Sequence, residues 1–397
     1  WGVLAVASVS TLLGTSDFSI VTIALPTLTG VFKASTSTVV WVSLSYQLMT
    51  LGLVLPMGSA GDRFGQRNVF CLGILLYSIG LVAAAIAPNI TILIMMRAIQ
   101  GAGAAMASAL AVGLVTNAFP SSQRGRALGM LASTAGVGLM AGPALGGLLL
   151  ETLGWRSIFY IRAPVGFAGL AIALVYLAKP ASKGLGRTDV LGTVLLFVGI
   201  AALTLGVNRG SGDGWTSTWV LILIISSANV LIAFGIHAAR TTSPVVDLRL
   251  FRDMRLSVAA CLMLMAGTCY MSINFILPFY LLLAKQMNPA SAGLVLLISP
   301  ALYIVLPPFT GRLADRVGPR WPTTSGLALQ SISLFLFSGL TESSSLVMVG
   351  VILGISGIGN TLFQTPNQTA IMGAAPEGRV GTVSALIPMI RYVGLVA

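Results

Sequence analysis

The residue with the most chemistry open to it is Asp17, an acid set deep in a long apolar run. In a helix over 3–27 it lies roughly 15 Å from the later end, at about 1.5 Å of rise per residue. Burial of an acid at that depth is costly and usually marks function. Desolvation favours the neutral form of a carboxyl and a nearby cation favours the charged form. An acid balanced between the two can take up and release a proton. The structural alternative is an Asp that only serves its polar neighbours Ser16 and Ser19. Arg97 lies six residues into another apolar run, roughly 9 Å deep, within several Å of the depth of Asp17. With Gln100 it is expected to modulate the protonation of Asp17, direct pairing being one route. These three are the candidate proton-coupling residues.

Other familiar chemistry is missing from the sequence. It contains no G-x-x-x-x-G-K-[ST] phosphate loop, so ATP is not expected to supply energy within the chain. Neither a metal-ligand cluster nor a nucleophile with its base appears. Cys71, Cys261 and Cys269 are scattered through apolar runs without disulfide or metal spacing. The expectation is a protein that is not an enzyme, binds no metal and needs no cofactor, with a proton gradient as its energy source.

The elements that position these residues follow from composition. Of 397 residues, 56% are hydrophobic and 8% charged, and mean hydropathy is +0.95. Soluble domains carry roughly 25% charged residues, so this chain cannot cover a water-facing surface. At ~20 apolar residues per membrane span it holds about a dozen spans. Apolar runs predict helices over 3–27, 38–60, 69–88, 91–117, 127–151, 156–178, 190–208, 217–238, 256–284, 291–310, 322–340 and 345–372. A thirteenth begins near 381, and both ends are expected to be truncated. Net charge is +12. With the N-terminus inside, fifteen of the 22 Lys and Arg fall in inner turns and five, Arg162 among them, in outer ones. This positive-inside bias accounts for the basic balance without nucleic acid. The lipid bilayer is the expected partner, and Trp41, Trp155, Trp215, Trp219 and Trp321 sit at predicted helix ends as interfacial anchors do.

Two inner turns repeat one pattern, G-x-x-x-D-R-x-G-x-R. The first runs from Gly58 through Asp62, Arg63 and Gly65 to Arg67; the second runs from Gly311 through Asp315, Arg316 and Gly318 to Arg320. The glycines permit tight turns and close helix contact, and the charges can meet neighbouring helix ends. One turn follows the second span and the other the tenth. Six-helix repeats therefore leave two extra helices between the halves. The fifth span carries Gly138, Gly142, Gly146 and Gly147 on near-adjacent faces for close packing, with Pro143 as a bend. The twelfth span, counterpart of the fourth, places Asn360, Gln364, Asn367 and Gln368 on one face. The ninth, counterpart of the first, offers Tyr270, Asn274 and Tyr280 around Pro278. With Asp17 and Thr22, residues Tyr270, Asn274, Asn360, Gln364 and Asn367 are the candidate substrate contacts. Interhelical hydrogen bonding is the alternative reading of the second-half residues.

Further motifs are Asp17-Phe-Ser-Ile-Val-Thr22-Ile-Ala24-Leu25-Pro26, Arg97-Ala-Ile-Gln100-Gly101-Ala-Gly103, Trp155-Arg156-Ser-Ile-Phe159 and Asp247-Leu-Arg249-Leu-Phe251-Arg252. In this order, and together with the loops and the glycine-rich fifth span, they resemble the major facilitator superfamily, specifically its fourteen-helix drug:proton antiporter branch. The resemblance covers essentially the whole chain. One departure is Arg162, where the family usually carries Asn in an Ile-Asn-x-Pro sequence. The resemblance implies an all-α polytopic membrane protein with two six-helix bundles and a two-helix insert. Fourteen helices would be expected, of which about 12–13 are present. The expected domains are 1–180, a 181–255 insert with its linker, and an incomplete 256–397 bundle. It also implies a part in proton transfer for Arg97, an inner gate at Asp62 and Arg63 with Asp62 more critical than Asp315, and export as the direction. The function expected is proton-coupled antiport of amphipathic or cationic small molecules by a monomer in a bacterial cytoplasmic membrane. A dedicated exporter of one metabolite or lipid is the alternative, and a non-transporting sensor a more distant one.

Overall fold

The structure is a computed structural model that describes residues 1–178, 189–242, 244–287 and 289–396. Among them every apolar run of the sequence falls on a helix, and no strand forms. Seven helices are long and apolar enough to cross a bilayer, and three bent helix pairs pass the same test. Two shorter apolar stretches lie at Met254–Tyr270 and Val380–Arg391. Helices suit such a chain because each satisfies its own backbone polar groups where no water can.

The chain divides into two compact units. The first comprises Trp1–Leu114, Gly142–Asp253 and Ala375–Met389. It contains α1 (Gly2–Phe32), α2 (Thr36–Phe64), α3 (Gln66–Ala85) and nearly all of α4 (Ile90–Ala118). The later part of α5 (Arg124–Leu153), then α6 (Ser157–Tyr160), α7 (Arg162–Tyr176), α8 (Val190–Asp213) and α9 (Thr218–Arg240) follow. α1 bends by 41° between Gly2–Asp17 and Ile20–Phe32, beside the acid it carries. It packs on α2 and α7, and α3 packs on α2, α6 and α7. A core that includes Leu13, Ile20, Val21, Leu81, Leu93 and Phe159 holds these helices together.

α8 and α9 pack mainly on each other, with α8 also against α2. Only 22% and 17% of their spans is buried, against 72% for α4, which puts them at the margin of the unit. Asp189 caps α8 by accepting from Gly192 N (2.8 Å) and pairs with Nε2 of His237 on α9 (2.8 Å). The side chains of Lys179, Lys183 and Arg187, counted among the inner charges, lie outside the described residues.

The second unit comprises Val115–Ala141, Met254–Ala374 and Ile390–Ala397. It holds α10 (Met254–Phe279), α11 (Pro289–Leu296), α12 (Ile298–Val305), α13 (Pro307–Val317), α14 (Arg320–Ser338) and α15 (Leu346–Gly373). The last helix, α16 (Val380–Val396), begins in the first unit. α15 is the centre of the second unit, packed on α10, α12, α13 and α14. Its start is capped by Ser345, whose side chain accepts from Met348 N at 3.2 Å, as serine at an N-cap commonly does.

Candidate functional site

In the first unit Asp17 is fully buried, and Arg97 is 1% and Arg162 6% exposed. Close helix contact is what brings the cluster together. A Cβ on Gly101 of α4 would stand 2.5 Å from the Tyr46 carbonyl oxygen of α2, so only glycine lets these helices approach this far. The approach lays the Arg97 guanidinium over the Tyr46 ring, 4.4 Å from its centroid. Arg97 Nε donates to Val42 O (3.0 Å), which aims the fork at α1.

Arg97 Nη1 donates to Asp17 Oδ1 at 3.0 Å, and Nη2 stands 2.7 Å from Oδ2 as an ion pair. Gln100 bridges the two: its Oε1 accepts from Arg97 Nη1 (2.6 Å) and its Nε2 donates to Asp17 Oδ1 (3.0 Å). The structure thus joins the three expected coupling residues directly. Ser16 Oγ instead donates to the Leu13 carbonyl, and the side chain of Ser19 lies outside the described residues.

The sequence reading counted Arg162 among the charges of the outer turns. The structure instead buries it at the first residue of α7, where it donates through Nη1 to Asp17 Oδ1. Its Nε donates to Ile158 O at 2.7 Å, while Nη2 is buried with no acceptor among the described residues. Phe159 lies beside both guanidiniums, 6.0 Å from Arg97 and 5.8 Å from Arg162. Tyr77 closes the other side, its hydroxyl donating to Leu13 O (2.9 Å). One carboxylate therefore faces two guanidiniums. Tyr46 and Tyr77 carry no signal in the sequence, because aromatic residues in apolar runs read as packing, and Phe159 stands out there only as the end of the Trp155 motif.

The two repeated loops build matching contacts. Asp62 Oδ1 accepts from Gly381 N (2.6 Å), and Oδ2 from Thr382 N and Oγ1 (both 2.8 Å), at the start of α16. In the second unit Asp315 accepts from Gly125 N (2.7 Å) and Arg126 N (2.9 Å), at the start of α5. Each carboxylate thus caps the positive end of a helix. A Cβ on Gly58 would stand 2.6 Å from Gly381 O, and one on Gly311 would press still harder on the Gly125 carbonyl. Gly65 (φ 89°) and Gly318 (φ 81°) turn the chain through backbone angles that other residues rarely adopt. Arg67 donates to Leu174 O near the C-terminal end of α7 (2.7 Å). Arg63 lines a pocket with Pro56, Asp189 and Val245, and Arg316 is exposed.

The remaining candidates scatter. Gly146 of α5 stands against Ile20 of α1, where a Cβ would come within 3.3 Å of its Cα, whereas Gly147 faces open space. Gly138 and Gly142 are buried, and the side chain of Pro143 lies outside the described residues. Thr22 is exposed while Asp17 is buried, so the two do not share surroundings. In the second unit Asn367 Nδ2 donates to Ala259 O of α10 (2.9 Å), an interhelical tie. Tyr280 likewise donates to Thr341 O (2.8 Å). Tyr270 stands 3.4 Å from Ser299 Oγ, Asn360 is 7% exposed, and Gln364 is half-buried. The side chain of Asn274 lies outside the described residues.

All-helical apolar spans, with a buried ion-pair cluster in the first unit, define a polytopic membrane protein. Residues 7–397 match the Major Facilitator Superfamily, and the chain belongs to that family. It is 30% identical over 394 residues to the riboflavin transporter RibZ of Clostridioides difficile (98% of this chain, 85% of that one). It is 32% identical over 380 residues to the multidrug resistance protein Stp of Mycobacterium tuberculosis (95% of this chain, 70% of that one). The fold resembles the crystal structure of the human organic anion transporter MFSD10, with a TM-score of 0.68 at 16% identity over 100% of this chain and 92% of that one.

Proposed function

We propose that the protein is a proton-coupled exporter of amphipathic small molecules, of the fourteen-helix drug:proton antiporter type. The observation that carries this reading is Asp17, fully buried at the bend of α1 and held by Arg97 and Gln100. A buried carboxylate with donors that can let go has the elements of a proton-exchange site. Proton uptake by Asp17 weakens its ion pairs, loosens α1 from α4 and α7, and so couples protonation to helix movement. Asp62 and Asp315, each seated on a helix N-terminus, serve as the inner gate. The protein works as a monomer in a bacterial cytoplasmic membrane with its N-terminus inside, and takes its energy from the proton gradient without a cofactor. Nucleic acid has no part in it.

The test is proton flux in proteoliposomes driven by a panel of amphipathic compounds. Asp17→Asn keeps the side-chain shape but removes the charge, turns one acceptor oxygen into a donor and cannot exchange a proton at neutral pH. Uphill export is therefore expected to stop in protein shown to be folded by its elution as a single species in detergent. Full uphill activity in that variant overturns the reading. A dedicated exporter of one metabolite has support from the relative named for riboflavin transport. Competition among unrelated compounds for the same flux separates the two.

A further inference from the structure

We infer that Arg162 is a specificity-determining residue: its guanidinium holds the place on Asp17 that a cationic cargo would need, and it selects cargo that brings an oxygen acceptor and no fixed positive charge. The inference rests on the proposed role of Asp17 as the coupling acid.

The argument begins with charge. Asp17 is the acid that touches either guanidinium among the described residues, so the cluster of Asp17, Arg97 and Arg162 carries one surplus positive charge when Asp17 is ionised. All three side chains are buried. A cation brought to this cluster adds like charge where water cannot screen it, and like charges in such a setting repel strongly. Contact geometry leads to the same place. Asp17 Oδ1 already accepts from Arg97, Gln100 and Arg162, while Oδ2 faces Arg97 Nη2. Oδ2 makes no hydrogen bond among the described residues, but Arg97 Nη2 stands 2.7 Å from it, so a cargo ammonium reaching that oxygen would meet a guanidinium already there.

Arg162 offers the opposite opportunity. Its Nη2 is buried and lacks an acceptor among the described residues, and a buried donor left unpaired is costly. Neighbouring side chains do not remedy this: Phe159 offers a ring, and the Tyr77 hydroxyl, which donates to Leu13 O, makes no hydrogen bond to Nη2. A carbonyl or carboxylate oxygen of the cargo would complete the guanidinium, and a carboxylate would also cancel the surplus charge. Because Nη2 is buried, such an oxygen arrives only with a movement of the surrounding helices, which is what a transport cycle provides. With Asn at 162 the surplus charge would disappear and one of the donors on Asp17 Oδ1 would be removed, which opens that side of the carboxylate to a cation.

The experiment uses one fluorescent aromatic scaffold carrying in turn a quaternary ammonium, an uncharged amide and a carboxylate. Each is assayed for transport and for proton counterflow in proteoliposomes of the wild-type protein, Arg162→Asn and Arg162→Lys. The wild type is expected to move the amide and the carboxylate at least roughly tenfold faster than the ammonium. Arg162→Asn is expected to gain the ammonium and lose the preference for the carboxylate; Arg162→Lys, which keeps the charge, still excludes the ammonium. Should Arg162→Asn fail to fold, the wild-type and lysine arms still decide. Equal transport of all three compounds by the wild type, or exclusion of the carboxylate along with the ammonium, overturns the inference. So does a folded, active Arg162→Asn with unchanged selectivity. Proton counterflow with every compound at equal rates sinks only the role of Arg162. Selective cargo movement without any counterflow sinks instead the exchange reading of Asp17.

Discussion

Arg97 touches four neighbours through one guanidinium: the Asp17 carboxylate, Gln100, the Val42 carbonyl and the Tyr46 ring. Removing one member of a buried ion pair leaves the other charge stranded, at a cost of about 3–5 kcal/mol. Arg97→Ala is therefore expected to lower thermal stability in detergent and to reduce proton-driven transport. Arg97→Lys keeps the unit charge but not the stacked planar fork, and should therefore restore only part of the loss. Wild-type coupling in Arg97→Ala would show that the pair has no part in transport. Asp17 and Arg97 were legible in the sequence because composition isolates them: a charge in a long apolar run stands out, and helical rise gives its depth. Arg162 was legible only as a departure from an expected asparagine. Its place seven residues after Trp155, near a helix start, reads as a turn, and nothing in one helix reveals which way its face turns relative to another.

At the scale of the elements, the repeated loops were readable as a pair, but what they hold was not. Asp62 and Asp315 cap backbone N–H groups at residues 381–382 and 125–126, and a backbone donor leaves no signature in side-chain sequence. Hydrogen bonds to a charged group contribute roughly 1.5–3 kcal/mol, so Asp62→Asn is expected to weaken the seat of α16 and slow transport. Gly381→Leu should do so more severely, since any Cβ there would stand 2.6 Å from the Gly58 carbonyl oxygen. Transport assays that find Gly381→Leu fully active would remove the contact from the mechanism. The uncharged face of α15 was legible as a face, yet Asn367 spends its amide on α10. Periodicity marks which residues lie together and cannot say whether they turn to a neighbour or to a cavity.

For the whole molecule, the all-helical membrane class followed from hydropathy, whereas the count of spans did not: seven helices and three bent pairs among the described residues are long and apolar enough to cross, because bends and short helices break up the apolar runs. The distribution of basic residues predicts an orientation with the N-terminus inside. Cysteines placed at Lys33 and Arg320 test that orientation. An impermeant thiol reagent added outside intact cells should label Lys33→Cys and leave Arg320→Cys untouched; the reverse pattern would invert the topology. The division into two units was less legible, because α5 and α16 each contribute to both, and chain order alone does not show such sharing. The surplus charge of the Asp17 cluster has one more consequence. A charge moved across a bilayer answers to voltage, by about 2.3 kcal/mol per 100 mV for a full crossing, and in proportion for any part of that path the cluster travels as the helices shift. Even when it carries an electrically neutral passenger, a carrier so built would run at a pace set partly by how strongly the cell is polarised.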